Sequence, residues 1–227
     1  MHKDKAQMNN RIATYRLTIS FLSYWFVSTG NEQGAYADQL ALKDSEGFPY
    51  IPGKTIKGVF REAFRLAGNS GWFSDSENEH EKDNNFLNVL IQAIFGHDGT
   101  VSGFSEDELH TGGLIHVSNA ELPENIKNQI GNSKSFLFRT VQNTAVDRET
   151  GTAMNKSLRT SEVVIPFHLS TEVILDAPGD EVTGITRNDL DKIAGILPDV
   201  ASIITEIGGK RRRGFGRCQC RMEKINV

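Results

Sequence analysis

The sequence predicts an α+β domain of ferredoxin-like or RRM-like plan, carrying large insertions. Three observations lead there. A strand with period-two alternation opens the chain and an amphipathic helix follows it. A second, capped helix and a final strand close it, and no internal repeat interrupts the order.

The first strand spans 12–21, where Tyr15, Leu17, Ile19 and Phe21 alternate with Thr14, Arg16, Thr18 and Ser20. Residues 28–50 are rich in Gly, Asp, Asn and Ser and predict a loop. A loop of that length in a compact domain usually serves binding or catalysis. The first helix is expected from about 54 to 67, ahead of Gly68-Asn69-Ser70-Gly71. Ile56, Phe60, Ala63, Phe64 and Ala67 give it a core face. Lys54, Lys57, Arg61 and Arg65 recur three or four apart on another face, where a polyanion would relieve their mutual repulsion.

An acidic loop is predicted over 69–85, a short amphipathic helix over 85–95 ending at Gly96, and a short strand over 114–117. Longer strands follow over 135–144 and 162–175. The polar AVDRETGTAMNKSLRTS between them reads as a protruding arm. Thr186-Arg187-Asn188-Asp189 forms a capping box that opens the second helix, with Leu190, Ile193, Ala194 and Leu197 inward. Pro198 is expected to bend or restart that helix, and Val200, Ile203, Ile204 and Ile207 to carry it to Gly208. The last strand, 215–222, places Cys218, Cys220 and Met222 on one face and Arg217, Gln219 and Arg221 on the other.

At 227 residues the chain has ample length for a core, and no apolar run is long enough to cross a membrane. MHKDKAQMNNR lacks the apolar stretch of a signal peptide. The two cysteines stand i, i+2, a poor arrangement for a mutual disulfide and not a metal or redox pair. They read as packing residues in a reducing cytoplasm.

The net charge of −4 conceals segregation. Acids crowd 74–85 and 106–108, whereas GGKRRRGFGRCQCRMEK carries seven basic residues against Glu223. Within it, Gly208, Gly209, Lys210, Arg211, Arg212, Arg213, Gly214, Phe215 and Gly216 form a basic loop bracketed by glycines. Such a loop admits a phosphate backbone closely and attracts it. YIPGKTIKG contains the GKT of a nucleotide-binding P-loop, but Phe48 stands where that motif needs glycine and Pro52 removes a backbone donor. No nucleotide cofactor is expected; a helix entry at Gly53 that meets another kind of phosphate is. The histidines His97, His110, His116 and His168 show no metal-ligand spacing, and no nucleophile elbow occurs.

YIPGKTIKGVFREAF, the IFG at 94–96, GGLIHVSNAEL at 112–122, VDRETGTA at 146–153 and the terminal GGKRRRGFGR, in this order, resemble the RAMP superfamily of CRISPR-associated proteins. Their spacing is similar to that of the backbone subunit of type III (Csm/Cmr) effector complexes. The resemblance spans nearly the whole chain. It implies a single domain over 1–227, modified from the RRM-like plan, with a lid-like insertion at about 69–111 and a β-hairpin thumb at about 135–175.

The resemblance also implies partners: a CRISPR guide RNA, a complementary target RNA, copies of this chain and other effector subunits, with no membrane. RNA contacts would fall on Gly53, Lys54, Lys57 and Arg61, on Arg139 and Arg148, and on Gly208, Gly209, Lys210, Arg211, Arg212 and Arg213, with the helix entry and the glycine-rich loop facing the guide backbone. VDRETGTA would intrude on the guide–target duplex. The family's D-x-x-x-x-K-D pattern fits residues 38–44, making Asp38 the expected catalytic residue and ligand of a Mg²⁺ or Mn²⁺ ion. Attack of a target ribose 2′-hydroxyl on the adjacent phosphate would then be metal-assisted. Two positions depart from the pattern. Asn119 stands where the family often has aspartate, and the bulkier Tyr36-Ala37 precedes Asp38. The alternatives are a structural RNA-binding subunit without cleavage, or a guide-processing nuclease using His116.

Overall fold

The computed structural model describes residues 11–28, 39–73, 80–96, 112–144, 147, 149–154, 157–177 and 185–225, with backbone only at 80–85. Asp38, Arg148, His97 and His110 lie outside them.

Four strands build the main sheet: β1 (Arg11–Phe21), β2 (Ile115–Val117), β5 (His168–Asp176) and β6 (Cys218–Ile225), in the order β2-β5-β1-β6. Every neighbouring pair is antiparallel. With helix α1 (Gly53–Asn69) between β1 and β2, and helix α4 (Arg187–Ser202) between β5 and β6, this is the ferredoxin-like plan. The remaining pair, β3 (Phe138–Asn143) and β4 (Arg159–Val164), forms a separate two-stranded hairpin inserted between β2 and β5.

One face of the main sheet is covered and the other is open. Tyr15, Leu17, Ile19, Leu169, Val173, Leu175, Cys218, Cys220 and Met222 point into a core shared with Phe60 and Phe64 of α1 and Leu190 and Leu197 of α4. The open face carries Glu172, Arg16 and Glu223 in one cross-strand row and Ser170, Thr18 and Arg221 in the next. It presents no aromatic platform in those rows, so the base-stacking surface of an RRM sheet is not reproduced there.

Several elements differ from their sequence-based expectations. The strand expected over 162–175 is two strands, because Pro166 cannot continue a ladder. β4 ends at Val164 and stays in the hairpin, while β5 joins the main sheet. The hairpin strands therefore lie within 138–164. Helix α2 (His80–Phe95) starts earlier than expected, and α3 (Glu124–Ile130) was not anticipated at all. The second helix runs through Pro198 but stops at Ser202, so Ile204 and Ile207 reach the core from an irregular segment. The first strand, α1 and the capping box of Thr186 and Asp189 match expectation.

Candidate nucleic-acid interface

The glycine-rich loop is held by the chain that leaves β1. Gly209 N–H donates to the Phe26 carbonyl and Gly216 N–H to the Tyr24 carbonyl, both at 2.8 Å. Gly216 has φ +76°, and a Cβ there would lie 2.1 Å from the Ile207 oxygen, so the close approach admits only glycine. Lys210 takes the left-handed conformation with φ 59°, and Arg211–Arg213 form one 3-10 turn closed by Gly214. That turn leaves the three guanidinium-bearing residues exposed, and none pairs with a carboxylate among the described residues. Lys210 is different: its ammonium donates to the Ser161 hydroxyl on β4 and stands 5.1 Å from the Phe26 ring centroid.

Ser161 joins this loop to the segment that follows Asp38. Its hydroxyl lies 3.5 Å from the Gln39 side-chain oxygen. The Gln39 N–H donates to the Thr160 carbonyl at 3.3 Å, and the Glu162 N–H donates to the Gln39 carbonyl at 2.9 Å. Gln39 thus makes an isolated parallel bridge to Ser161 on β4. Two more ties hold the 39–48 segment. The Lys43 ammonium meets the Glu162 carboxylate at 3.0 Å, and Asp44 Oδ1 accepts from Glu46 N–H and Phe48 N–H at 2.9 Å each. The expected long loop is tethered here rather than free-standing.

The helix entry at Gly53 also differs from expectation. Its N–H donates at 3.0 Å to Oδ1 of Asn119, the position where the family pattern often has an acid. Thr55 N–H and Ile56 N–H both go to the Pro52 carbonyl. With those donors engaged, an anion at this end meets chiefly the exposed side chain of Lys54. Lys57 is half-buried, and burial, then the neighbouring Arg61 charge, lowers its pKa below the usual lysine value. Arg61 Nη2 donates to the Gly96 carbonyl at 2.6 Å, tying α1 to the end of α2. Gly113 packs against the same turn, where a Cβ would lie 2.3 Å from Gly96 N. The IFG and GGLIH motifs therefore meet at a packing joint, and Arg65 pairs with Glu62 at 2.5 Å.

The hairpin arm ends in an Asx turn. Asp147 Oδ1 accepts from Glu149 N–H and Thr150 N–H at 2.9 Å, and these bonds, the one from Thr150 foremost, hold its carboxyl below the usual aspartate range. Met154 and Leu158 are more than half exposed on the arm. Sequence reasoning passed over them, although two apolar residues in an otherwise polar stretch are a visible signal. Arg139 stands at the other end of the hairpin, where Nη1 donates to the Phe136 and Phe138 carbonyls at 3.1 and 2.7 Å. His116 is on the open sheet face, 3.5 Å from Asp176. No cluster of three or more His, Cys, Asp or Glu side chains with metal-binding geometry occurs among the described residues.

A ferredoxin-like domain with an inserted hairpin and a cationic, glycine-bracketed loop is the class that this fold and site define. The chain belongs to the RAMP superfamily, whose family model matches residues 18–219. Its fold is shared by a chain of the Type III-B Cmr-β complex bound to cognate target RNA, determined by cryo-EM. The TM-score is 0.60 at 11% identity, covering 94% of this chain and 98% of that one. A chain of Type III-B Cmr-β in the apo state gives a TM-score of 0.57 at 10% identity, covering 92% and 97%. None of the curated proteins searched matches the chain.

Proposed function

We propose that this chain is a guide-RNA-binding backbone subunit of a type III CRISPR effector complex, acting in the cytoplasm, and that it cleaves complementary target RNA through Asp38. One observation carries the reading. Gln39, the peptide neighbour of Asp38, is hydrogen-bonded into β4 beside Ser161, the residue that Lys210 of the basic loop grips. The residue that follows the candidate catalytic position and the candidate phosphate-binding loop therefore share one anchor. Arg211, Arg212 and Arg213 supply charge for the guide backbone, with Lys54 adding to it. The hairpin arm, with Met154 and Leu158 exposed, has the apolar character of wedges that unstack bases.

A loop carboxylate such as Asp38 suits Mg²⁺ or Mn²⁺, because such hard ions bind through one or two carboxylates plus substrate phosphates and waters. Asp38 would hold the ion, and the ion when bound would supply Lewis-acid stabilisation of charge on the phosphoryl oxygens. The chain's own contribution is orientation. The arm distorts the strand, and the tethers at Gln39, Lys43 and Asp44 fix where the loop meets it.

The test is target cleavage by the complex reconstituted with guide RNA, comparing wild type with Asp38→Ala in Mg²⁺. We expect the variant to assemble and to bind target while losing cleavage by at least about a hundredfold. Equal cleavage by both proteins overturns the catalytic assignment and leaves a structural RNA-binding subunit.

A further inference from the structure

Just past the end of α1, where the chain meets α2 and α4, lies an open cavity of about 340 Å³. Its apolar walls are Trp72, Phe73, Phe86, Leu90, Ile193 and Ile196. Three of them are firmly seated. Leu90 and Ile193 are buried, and the Phe73 ring stacks on buried Phe64 with centroids 4.4 Å apart. Trp72 N–H donates to the Ala67 carbonyl at 3.1 Å, which fixes the turn that carries the indole. Yet Trp72 and Phe86 are 41% and 40% exposed. Two exposed aromatics on one preformed apolar cavity have the composition of an anchor site in a protein interface.

Charge selects the occupant. Phe73 immediately precedes, and Phe86 immediately follows, the stretch 74–85, which carries Asp75, Glu77, Glu79, Glu81 and Asp83 against one lysine, Lys82. Both ends of that stretch are cavity walls, so its negative charge is tethered to the cavity. Asp189 adds a carboxylate on the wall itself. Its Oδ2 accepts from Thr186 N–H at 2.9 Å and from the Thr186 hydroxyl at 2.7 Å. Its Oδ1 accepts from none of the described residues and is left for an incoming donor. Lys192 is the one cation among the described lining residues. A nucleic acid or an anionic membrane is repelled by such surroundings, whereas a basic polypeptide is drawn to them.

We propose that this cavity docks a basic, amphipathic segment of a partner protein. An apolar side chain of that segment enters beside Trp72 and Phe86, and its flanking lysines or arginines meet Asp189 and the acidic stretch. The site is remote from the helix entry at Gly53. The 17 residues of α1 separate the two, about 25 Å along the helix axis. The inference rests on the reading of the chain as a subunit of a multi-protein complex. It adds a surface and a partner chemistry which that reading does not contain, and it uses neither the basic loop nor Asp38.

The probe is a labelled peptide of about 14 residues built from leucine and lysine, with the leucines at helical spacing, and a twin carrying glutamate in place of lysine. Binding of each to the full chain is followed by fluorescence anisotropy. The lysine peptide is expected to bind about tenfold tighter than its twin, with an affinity that falls as salt rises. Trp72→Ala combined with Phe86→Ala is expected to weaken that binding about tenfold or more, and Trp72→Phe to retain most of it. Lys192→Gln removes the wall's cation and is expected to tighten binding about twofold, a gain that unfolding cannot produce. The chain has two tryptophans and Trp25 is buried, so a blue shift of emission on adding unlabelled peptide reports Trp72. Trp72→Phe should abolish that shift.

Circular dichroism melts check that the alanine variant folds; if it melts early, Lys192→Gln decides, and no gain overturns the inference. Equal binding of the two peptides, or binding that survives the double alanine change, overturns it, as does a wild type that binds neither peptide. Self-association by sedimentation that the alanine variant abolishes, without peptide binding, makes the cavity a contact between copies and also overturns it. Guide RNA binding is measured alongside and is expected to be equal in wild type and alanine variant. Failure of the wild type to bind guide RNA, with the lysine peptide still bound through Trp72 and Phe86, overturns the RNA-binding reading and supports the docking site.

Discussion

The Tyr15 hydroxyl of β1 donates at 2.6 Å to the carbonyl of Ala194 in α4. In an unbroken helix that carbonyl would accept the N–H four residues on, but the residue there is Pro198, which has none. The sheet thus supplies the donor that the proline removes, and burial pushes the Tyr15 hydroxyl up to a pKa of about 12. This explains how one helix runs through Pro198. Tyr15→Phe leaves the buried carbonyl without a donor and is expected to cost about 1–3 kcal/mol by urea denaturation. Pro198→Ala restores the N–H, so the double variant should lose less than the two single losses combined. Strict additivity would show that the two residues are not coupled in this way.

Within YIPGKTIKG the two glycines make opposite predictions. A Cβ on Gly53 would lie 2.0 Å from the Val117 oxygen, whereas one on Gly58 meets nothing within 4 Å. Gly53→Ala must therefore push α1 off β2 and is expected to destabilise the fold by about 2 kcal/mol or more. Gly58→Ala sits in an open helix interior and should stabilise it by about 0.5–1 kcal/mol. Thermal melts of the two variants should move in opposite directions from wild type.

Period-two and helical patterns made β1, α1, β6 and the Thr186–Asp189 cap legible in the sequence, because local geometry alone sets those signals. Helix α3 escaped because its seven residues, ENIKNQI, bear few apolar positions. It is held by tertiary charge contacts of Lys127 together with Ile126 and Ile130 packed against the core. The basic loop was legible as a loop and as a charge cluster. Its anchor on Ser161 was not, since 49 residues separate Lys210 from its partner. Arg61 shows the opposite limit. Helical spacing grouped it with Lys54 and Lys57, but spacing carries no information about the Gly96 carbonyl that its guanidinium meets.

Lys127 is buried among carboxylates: Glu121 at 2.9 Å, Glu124 at 3.2 Å and Asp44 at 3.8 Å. The hydrogen bond to Glu121 outweighs burial and raises its pKa above the usual lysine value of 10.5. A raised folded-state pKa means the contribution is fully present below about 10.5 and is lost as pH climbs through the higher folded value. Lys127→Met should cost about 1–3 kcal/mol at neutral pH, since two of the carboxylates are partly solvated. It should also flatten the alkaline arm of the stability curve. An alkaline arm identical to wild type would mean that the ammonium contributes nothing.

Arg211, Arg212 and Arg213 differ from Lys210 in being exposed and without carboxylate partners among the described residues. Their alanine variants should leave the fold intact, because the loop is shaped by Gly208, Gly209 and Gly216 against Phe26, Tyr24 and Ile207. Binding to guide RNA should weaken in all three, with the salt slope falling by about 0.7 for each arginine–phosphate pair removed. Lys210→Ala should behave otherwise. It takes a cation from Ser161, so it should lower stability by about 1–2 kcal/mol and disturb the Gln39 anchor as well as affinity. In the reconstituted complex, the arginine variants are then expected to lose cleavage in proportion to guide occupancy. Lys210→Ala should lose it even at saturating guide. Full cleavage by Lys210→Ala at saturation would separate the basic loop from the Asp38 segment and break the link proposed between them.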